Sequence, residues 1–267
     1  MLLEAQTGLQ DVLSCYGAEN VLLHESSPAP LPIKMITAAP EIGLMTSLIP
    51  TLQEQGIIFS IGHTEATYEQ AMAAVSAGAN MITHLFNAMP PFYHRSPGIF
   101  GVMGQNQHPA PFYGIIADGI HLHPTSIQIA HNAHPGGLIL VTDAMRLCGM
   151  PDGVYDWTNG DRIVKKGALL TLEGTDRIAG SSALLVECVN NFRRWSGAGT
   201  AATLAAVTEV PARMLGILDR KGTLEPGSDA DLVVLGEEMS EAGVEKLTID
   251  QVWKFGVKVF DRETDKE

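Results

Sequence analysis

Five short apolar runs constrain the fold of this chain more than any other feature, and each stops at a polar residue. They are "IKMITAAPE" (Ile33–Glu41), "GIIFSIGH" (Gly56–His63), "ANMITHLF" (Ala79–Phe86), "YGIIADGIH" (Tyr113–His121) and "LILVTDA" (Leu138–Ala144). Ile, Val and Met dominate them without apolar–polar alternation, the pattern of strands covered on both faces, as in parallel sheets. Between the runs, Tyr68–Ala77 and Ser126–Ala133 place apolar residues at i, i+3 and i+4, which is helical spacing. Strand alternating with helix predicts βα units and an α/β fold. In such folds reactive groups collect at the carboxyl ends of the strands, where His63, His84, His121 and Asp143 all fall.

The remaining bulk properties exclude more than they specify. A chain of 267 residues buries about three quarters of its unfolded surface, so core size is not limiting. That length fits one large α/β domain, with or without a small appendage. A net charge of −13 argues against nucleic acid, which needs a basic face. An anionic small molecule stays open, because a few local cations outweigh the global field. No apolar run reaches the ~20 residues of a membrane span. The opening "MLLEAQTGLQ" has neither the basic flank nor the apolar core of a secretory signal. Cys15, Cys148 and Cys188 show no CxxC spacing and suit free thiols in a reducing compartment. A cytoplasmic protein without nucleic-acid or membrane partners is expected.

Beyond Asp143 the character changes. Residues 150–180 are rich in Gly, Asp and Thr with short β-like runs, an irregular hairpin excursion. Two helical patterns follow, Ala183–Arg194 and Thr200–Leu215, then "KGTLEPGSDADLVVL" (Lys221–Leu235) and "IDQVWKFGVKVFD" (Ile249–Asp261). The tail reads as a small all-β appendage, giving a division at residues 1–220 and 221–267. "LLHESSPAPLPIK" (Leu22–Lys34) is a loop longer than a compact barrel uses.

A single histidine after an apolar strand is most often structural, but two on neighbouring βα units, with an aspartate ending a later one, form a constellation. Neutral imidazole ligates zinc, and three protein ligands plus water make an open catalytic site. A metal so held lowers the pKa of bound water towards ~7, and a nearby aspartate moves the proton to a leaving group.

The motifs "GHTEAT", "THLFNAM", "ADGIHLH", "LVTDAM" and "RIAGSS", in that order, resemble those of the N-acetylglucosamine-6-phosphate deacetylases of the metal-dependent amidohydrolase superfamily. The resemblance runs from about Gly8 to the C-terminal strands. It implies an incomplete (β/α)8 barrel, strands four to eight, with remnants of a β-sandwich at the C-terminus. By matching motifs, His63 and His84 are metal ligands, and Asp143 is the catalytic base and then acid. Asn87, Ala88, Arg95, His121 and the stretch Ile178–Ala179–Gly180 contact the sugar phosphate. The implied cofactor is a divalent metal ion, zinc before others. The implied assembly is a homodimer, because the family's counterpart of Arg95 reaches across a dimer interface. Arg95 suits its part physically, since its planar fork of donors fits a phosphate. His123, His131 and His134 are read as structural or solvent-facing, and His94 as at most an addition to positive potential. Glu65 is read as supporting a helix start with Thr64 as N-cap. Nothing near Cys148 suggests an activated nucleophile.

The chain also departs from the family's pattern. Counted back from Asp143, strands one to three and the first half of the sandwich are expected to be missing, as for an N-terminally truncated member. The family's third ligand, a glutamate in an "HLEGP"-like motif, has no counterpart, and Glu4 is a poor substitute. Open sheet edges are the expected consequence. Two rival readings stay open: another amidohydrolase, such as a cyclic amidase or deaminase, and a truncated chain that binds sugar phosphate without turnover.

Overall fold

The computed structural model describes residues 8–23, 30–239 and 243–265. Glu4 and most of the Ser- and Pro-rich part of the loop at 22–34 lie outside the described residues. Contacts divide the chain into two compact units, Met1–Ile115 with Ala130–Ile139, and Ile116–Ile129 with Leu140–Glu267.

The five apolar runs become five strands: β1 (Met35–Ala38), β2 (Ile58–Ile61), β3 (Met81–Ile82), β4 (Phe112–Ile116) and β5 (Leu138–Val141). They form one sheet in the order β1-β2-β3-β4-β5, and the pairs β1–β2, β2–β3 and β3–β4 are parallel. Sheet order follows chain order, as successive βα units require. Among the described residues β1 and β5 have one neighbour each, so the sheet is open. Burial follows position: β3 and nearly all of β2 and β4 are buried, whereas Met35 on edge strand β1 is 41% exposed.

In the first unit, helices α1 (Leu9–Tyr16), α2 (Ala18–Val21), α3 (Met45–Glu54) and α4 (Tyr68–Ala77) accompany these strands. Ile49 and Leu52 of α3 are fully buried, as are Phe59, Ile61 and Ile82 of the sheet. Buried Tyr113 donates its hydroxyl to the carbonyls of Ala130 (2.8 Å) and His134 (3.0 Å). This uses its one polar atom, and burial pushes the phenol pKa upward.

Helix α4 corrects one expectation. Its N-cap is Thr67, not Thr64, with a reciprocal capping box to Gln70: Thr67 N donates to Gln70 Oε1 (2.8 Å) and Gln70 N to Thr67 Oγ1 (3.3 Å). Thr64 is occupied elsewhere, donating to the Glu41 carboxylate at 2.6 Å. Gly78, in the left-handed region at φ 116°, closes the helix, a conformation a side chain would strain. Thr67→Ala is expected to cost about 1 kcal/mol, read as a lower urea midpoint with unchanged slope.

The second unit holds two antiparallel sheets. Strands β6 (Gly153–Asp156), β7 (Arg162–Lys166), β8 (Leu169–Leu172) and β9 (Ile178–Ser181) form the first, in sequential order. The excursion at 150–180 is thus an ordered meander, with Leu147, Ile163 and Leu170 as its small core. Strands β10 (Leu232–Met239), β11 (Glu245–Lys254) and β12 (Val257–Asp261) form the second. Helix α5 (Pro124–Ala133) follows β4 along the chain, and α6 (Leu185–Ser196) follows β9. The single helix expected over Thr200–Leu215 is two, α7 (Thr200–Ala205) and α8 (Glu209–Met214). Pro211 sits in the first turn of α8, where its missing N–H costs nothing. No helix of the described residues is long and apolar enough to cross a membrane, and the three cysteines are free thiols.

Candidate active site

The carboxyl ends of β2 and β3 bring two expected residues together. His63 lies two residues past β2 and His84 two past β3, and their Nε2 atoms are 2.9 Å apart with the rings edge to face. Strand pairing alone does not achieve this. Thr64 N donates to Ala88 O (3.0 Å), tying the loop after β2 to the loop after β3. The Glu41 carboxylate takes Thr64 Oγ1 and the Glu65 amide (2.7 Å), so the segment just past His63 is held by an acid beyond β1. Below the pair, Thr83 shares hydrogen bonds with Ser60 (2.6 Å) and Thr37 (3.0 Å). A Cβ at Gly62 would lie only 2.7 Å from Thr83 Cβ, so glycine permits that approach.

Both histidines have left-handed backbone, φ 50° at His63 and 28° at His84. Among the described residues six non-glycine positions do, and three others are Phe86, Ala88 and Asp143. Such conformations cost on the order of 1 kcal/mol each and gather at functional sites. Five of the six therefore fall on the segments singled out by the motifs.

His84 is 5% exposed and His63 is exposed. Two facing Nε2 atoms share either one proton or one cation. Buried His84 Nδ1 has no hydrogen-bond partner, so either tautomer leaves a ring nitrogen unmatched and the pair is not self-sufficient. Two imidazole nitrogens this close fit neighbouring ligands of a divalent ion, whose bonds are roughly 2.0–2.1 Å. Among the described residues no third His, Cys, Asp or Glu joins them in a metal-holding group.

The other candidates of the first unit lie on the loop after β3. The Asn87 amide donates to His84 O (2.9 Å), Ala88 is exposed, and Phe86 stacks on Phe100. Arg95 is exposed at the tip of a tight turn closed by two hydrogen bonds between Tyr93 and Ser96. Among the described residues no carboxylate forms an ion pair with it, which leaves its guanidinium available to an anion.

The second unit gathers the rest. His121 Nδ1 lies 2.8 Å from Asp118 Oδ2. The hydrogen bond to Asp118 raises the imidazole pKa; burial opposes it, and the charges of Asp118 and Asp143 add to the rise. Burial pushes the Asp118 carboxyl up, but hydrogen bonds from His121, the His121 and Ile120 amides and Ser181 outweigh it and bring the pKa down to about 2. Asp143 is exposed, two residues past β5. The next residues are stitched to β9: Ala144 bridges Ser181, and Met145 N donates to Ser181 O at 2.8 Å. Ile178 is exposed, whereas Ala179 and Gly180 are half-buried. Gly180 has φ 122°, and a Cβ there would collide with the Met145 sulfur.

Sequence reasoning passed over Asp118, Ser181 and Glu41. The signal for Asp118 was present: in "ADGIH" an acceptor side chain precedes glycine and the two amides it can cap, a turn with a local side-chain bond. Glu41 carried no local signal, because its partners lie 23 and 24 residues away.

Residues 53–259 match the Amidohydrolase family. A protein of Danio rerio named N-acetylglucosamine-6-phosphate deacetylase is 42% identical over 252 residues, 92% of this chain and 59% of that protein. Its Homo sapiens namesake is 41% identical over 235 residues, covering 86% and 54%. The crystal structure of the Thermotoga maritima N-acetylglucosamine-6-phosphate deacetylase aligns with TM-score 0.73 at 29% identity, covering 87% of this chain and 61% of that one. An aspartate-to-alanine mutant of the Mycobacterium smegmatis enzyme, in complex with N-acetyl-D-glucosamine-6-phosphate, aligns with TM-score 0.72 at 33% identity, covering 85% and 57%. The chain thus spans between 54% and 61% of the length of these relatives.

Proposed function

The chain belongs to the Amidohydrolase family, and on that premise we propose that it hydrolyses the acetamide of N-acetylglucosamine 6-phosphate to glucosamine 6-phosphate and acetate. One observation carries the reading: two imidazoles on strained backbone, at adjacent strand ends, with Nε2 atoms 2.9 Å apart. The names of the relatives and the ligand of the M. smegmatis structure support this amide over a cyclic amide or a nucleobase.

In this reading His63 and His84 hold a divalent cation, zinc first. When bound, the cation supplies Lewis acidity to the amide carbonyl and to water. Asp143 takes a proton from the attacking water and returns it to the departing nitrogen. Arg95 and His121 bind the phosphate, and Asn87, Ala88 and Ile178–Gly180 orient the sugar. We assign residues 1–220 to an incomplete (β/α)8 barrel, strands four to eight, and 221–267 to a β-sandwich remnant. We also assign a cytoplasmic homodimer, with Arg95 donated to the partner's substrate.

The purified chain, supplied with zinc or another divalent cation, is expected to release acetate from N-acetylglucosamine 6-phosphate and to stop when a chelator is added. Unphosphorylated N-acetylglucosamine is expected to react far more slowly, because the Arg95 and His121 contacts are lost. No acetate with any added cation overturns hydrolysis. A second reading rests on the same pair, which no third ligand joins among the described residues: the chain binds the sugar phosphate without turnover. Heat of binding by calorimetry without acetate release would select it.

A further inference from the structure

A buried polar cluster of the second unit centres on Asp118, to which the motif resemblance gives no role. We propose that Asp118 is the positioning residue for His121, fixing a hydrogen on Nδ1 and leaving Nε2 as the atom that meets the substrate. The inference deepens the proposed function and rests on its placing of His121 at the phosphate.

The geometry leaves the carboxylate little freedom. Its side chain is 0% exposed, and a buried charge is tolerated only when hydrogen-bonded throughout. Oδ1 accepts the amides of Ile120 (2.8 Å) and His121 (3.0 Å), and Oδ2 faces His121 Nδ1 at 2.8 Å. Gly119, at φ 80°, turns the chain back so that one carboxylate reaches both amides. An ionised carboxylate accepts only, so the 2.8 Å contact requires the proton on Nδ1. The imidazole side chain is 20% exposed. Its Nε2 therefore offers a lone pair when the ring is neutral and a second N–H when it is charged.

The surrounding charges favour a cationic ring. Asp143 adds to the pull of Asp118. The Cys188 thiol of α6 is pushed up to about 12, by burial first and then by Asp118, and so stays neutral. Glu187, which also acts on that thiol, is the other acid of α6 in this neighbourhood. A ring held this way presents a donor to a phosphate oxygen in a fixed direction.

Asp118→Asn in the full chain tests this. The asparagine amide turns a donor towards Nδ1 or leaves it unmatched. Imidazole 15N spectra are expected to show His121 with its hydrogen on Nδ1 in the parent when neutral, moving to Nε2 in the variant. The titration midpoint is expected to fall by about one unit. KM for N-acetylglucosamine 6-phosphate is expected to rise about tenfold with kcat within threefold, the split of a lost ground-state contact. Asp118→Glu should keep the Nδ1 hydrogen and recover part of KM. A parent His121 carrying its neutral-form hydrogen on Nε2, or a tautomer and midpoint unmoved by Asp118→Asn, overturns the inference. The parent spectrum decides this even where the variant does not fold. A shifted spectrum with unchanged KM upholds the positioning and overturns the placing of His121 at the phosphate.

Discussion

Replacing His63 and His84 together with asparagine is expected to abolish acetate release and zinc binding while leaving the fold intact. Asparagine is the informative substitute because both positions are left-handed, φ 50° and 28°. Asparagine is several-fold enriched there among non-glycine residues, whereas β-branched residues are excluded. Backbone strain therefore changes little, and the variant loses the two imidazole rings. His84 is buried and its Nδ1 is already unmatched, so its removal forfeits packing and only the side-chain contact with His63, which is removed with it. Lewis-acid stabilisation of a developing charge is worth several kcal/mol, and each 1.4 kcal/mol is tenfold in rate. The expected fall is thus at least about 10³-fold. Acetate release, zinc content after dialysis and the thermal midpoint are the three measurements. Release within tenfold of the parent, or unchanged zinc uptake, would show that the pair only seals the ends of β2 and β3.

The elements legible in the sequence are those governed by local periodicity. The five apolar runs became strands because unbroken Ile, Val and Met content suits burial on two faces, and Tyr68–Ala77 is the helix its spacing predicts. Local chemistry with two competing solutions is not decided by the sequence. Thr64 and Thr67 both suit an N-cap, and only the distant Glu41 carboxylate, which claims Thr64, decides between them. At Thr200–Leu215 the helical period continues through a break that Pro211 alone announces. In the site, strand ends located His63 and His84, but not the left-handed backbone that turns their rings together. That conformation is fixed by contacts such as Thr64 N to Ala88 O, which join segments more than 20 residues apart. Asp118 lies within the "ADGIH" motif, but its three hydrogen bonds to the following turn emerge only once the chain is folded.

The second large effect is expected at Asp143. Its side chain is exposed, its backbone has φ 46°, and its charge is felt by His121. A residue required only for folding would not be strained, exposed and charged at once, because a glycine or asparagine would relieve the cost. Asp143→Asn keeps the shape and the left-handed preference but cannot take a proton from water or give one to the leaving nitrogen. General acid–base catalysis contributes about 10²–10⁴-fold, so kcat is expected to fall by that factor. The amide retains hydrogen-bonding capacity towards the sugar, so KM is expected to stay within a few-fold, the signature of an interaction made chiefly in the transition state. The thermal midpoint should not drop, since the stitching of Ala144 and Met145 to Ser181 is made by backbone atoms. A variant that retains kcat within fivefold would remove Asp143 from the proton path. The acid–base group would then be another titratable residue past the strand ends, with His121 among the candidates.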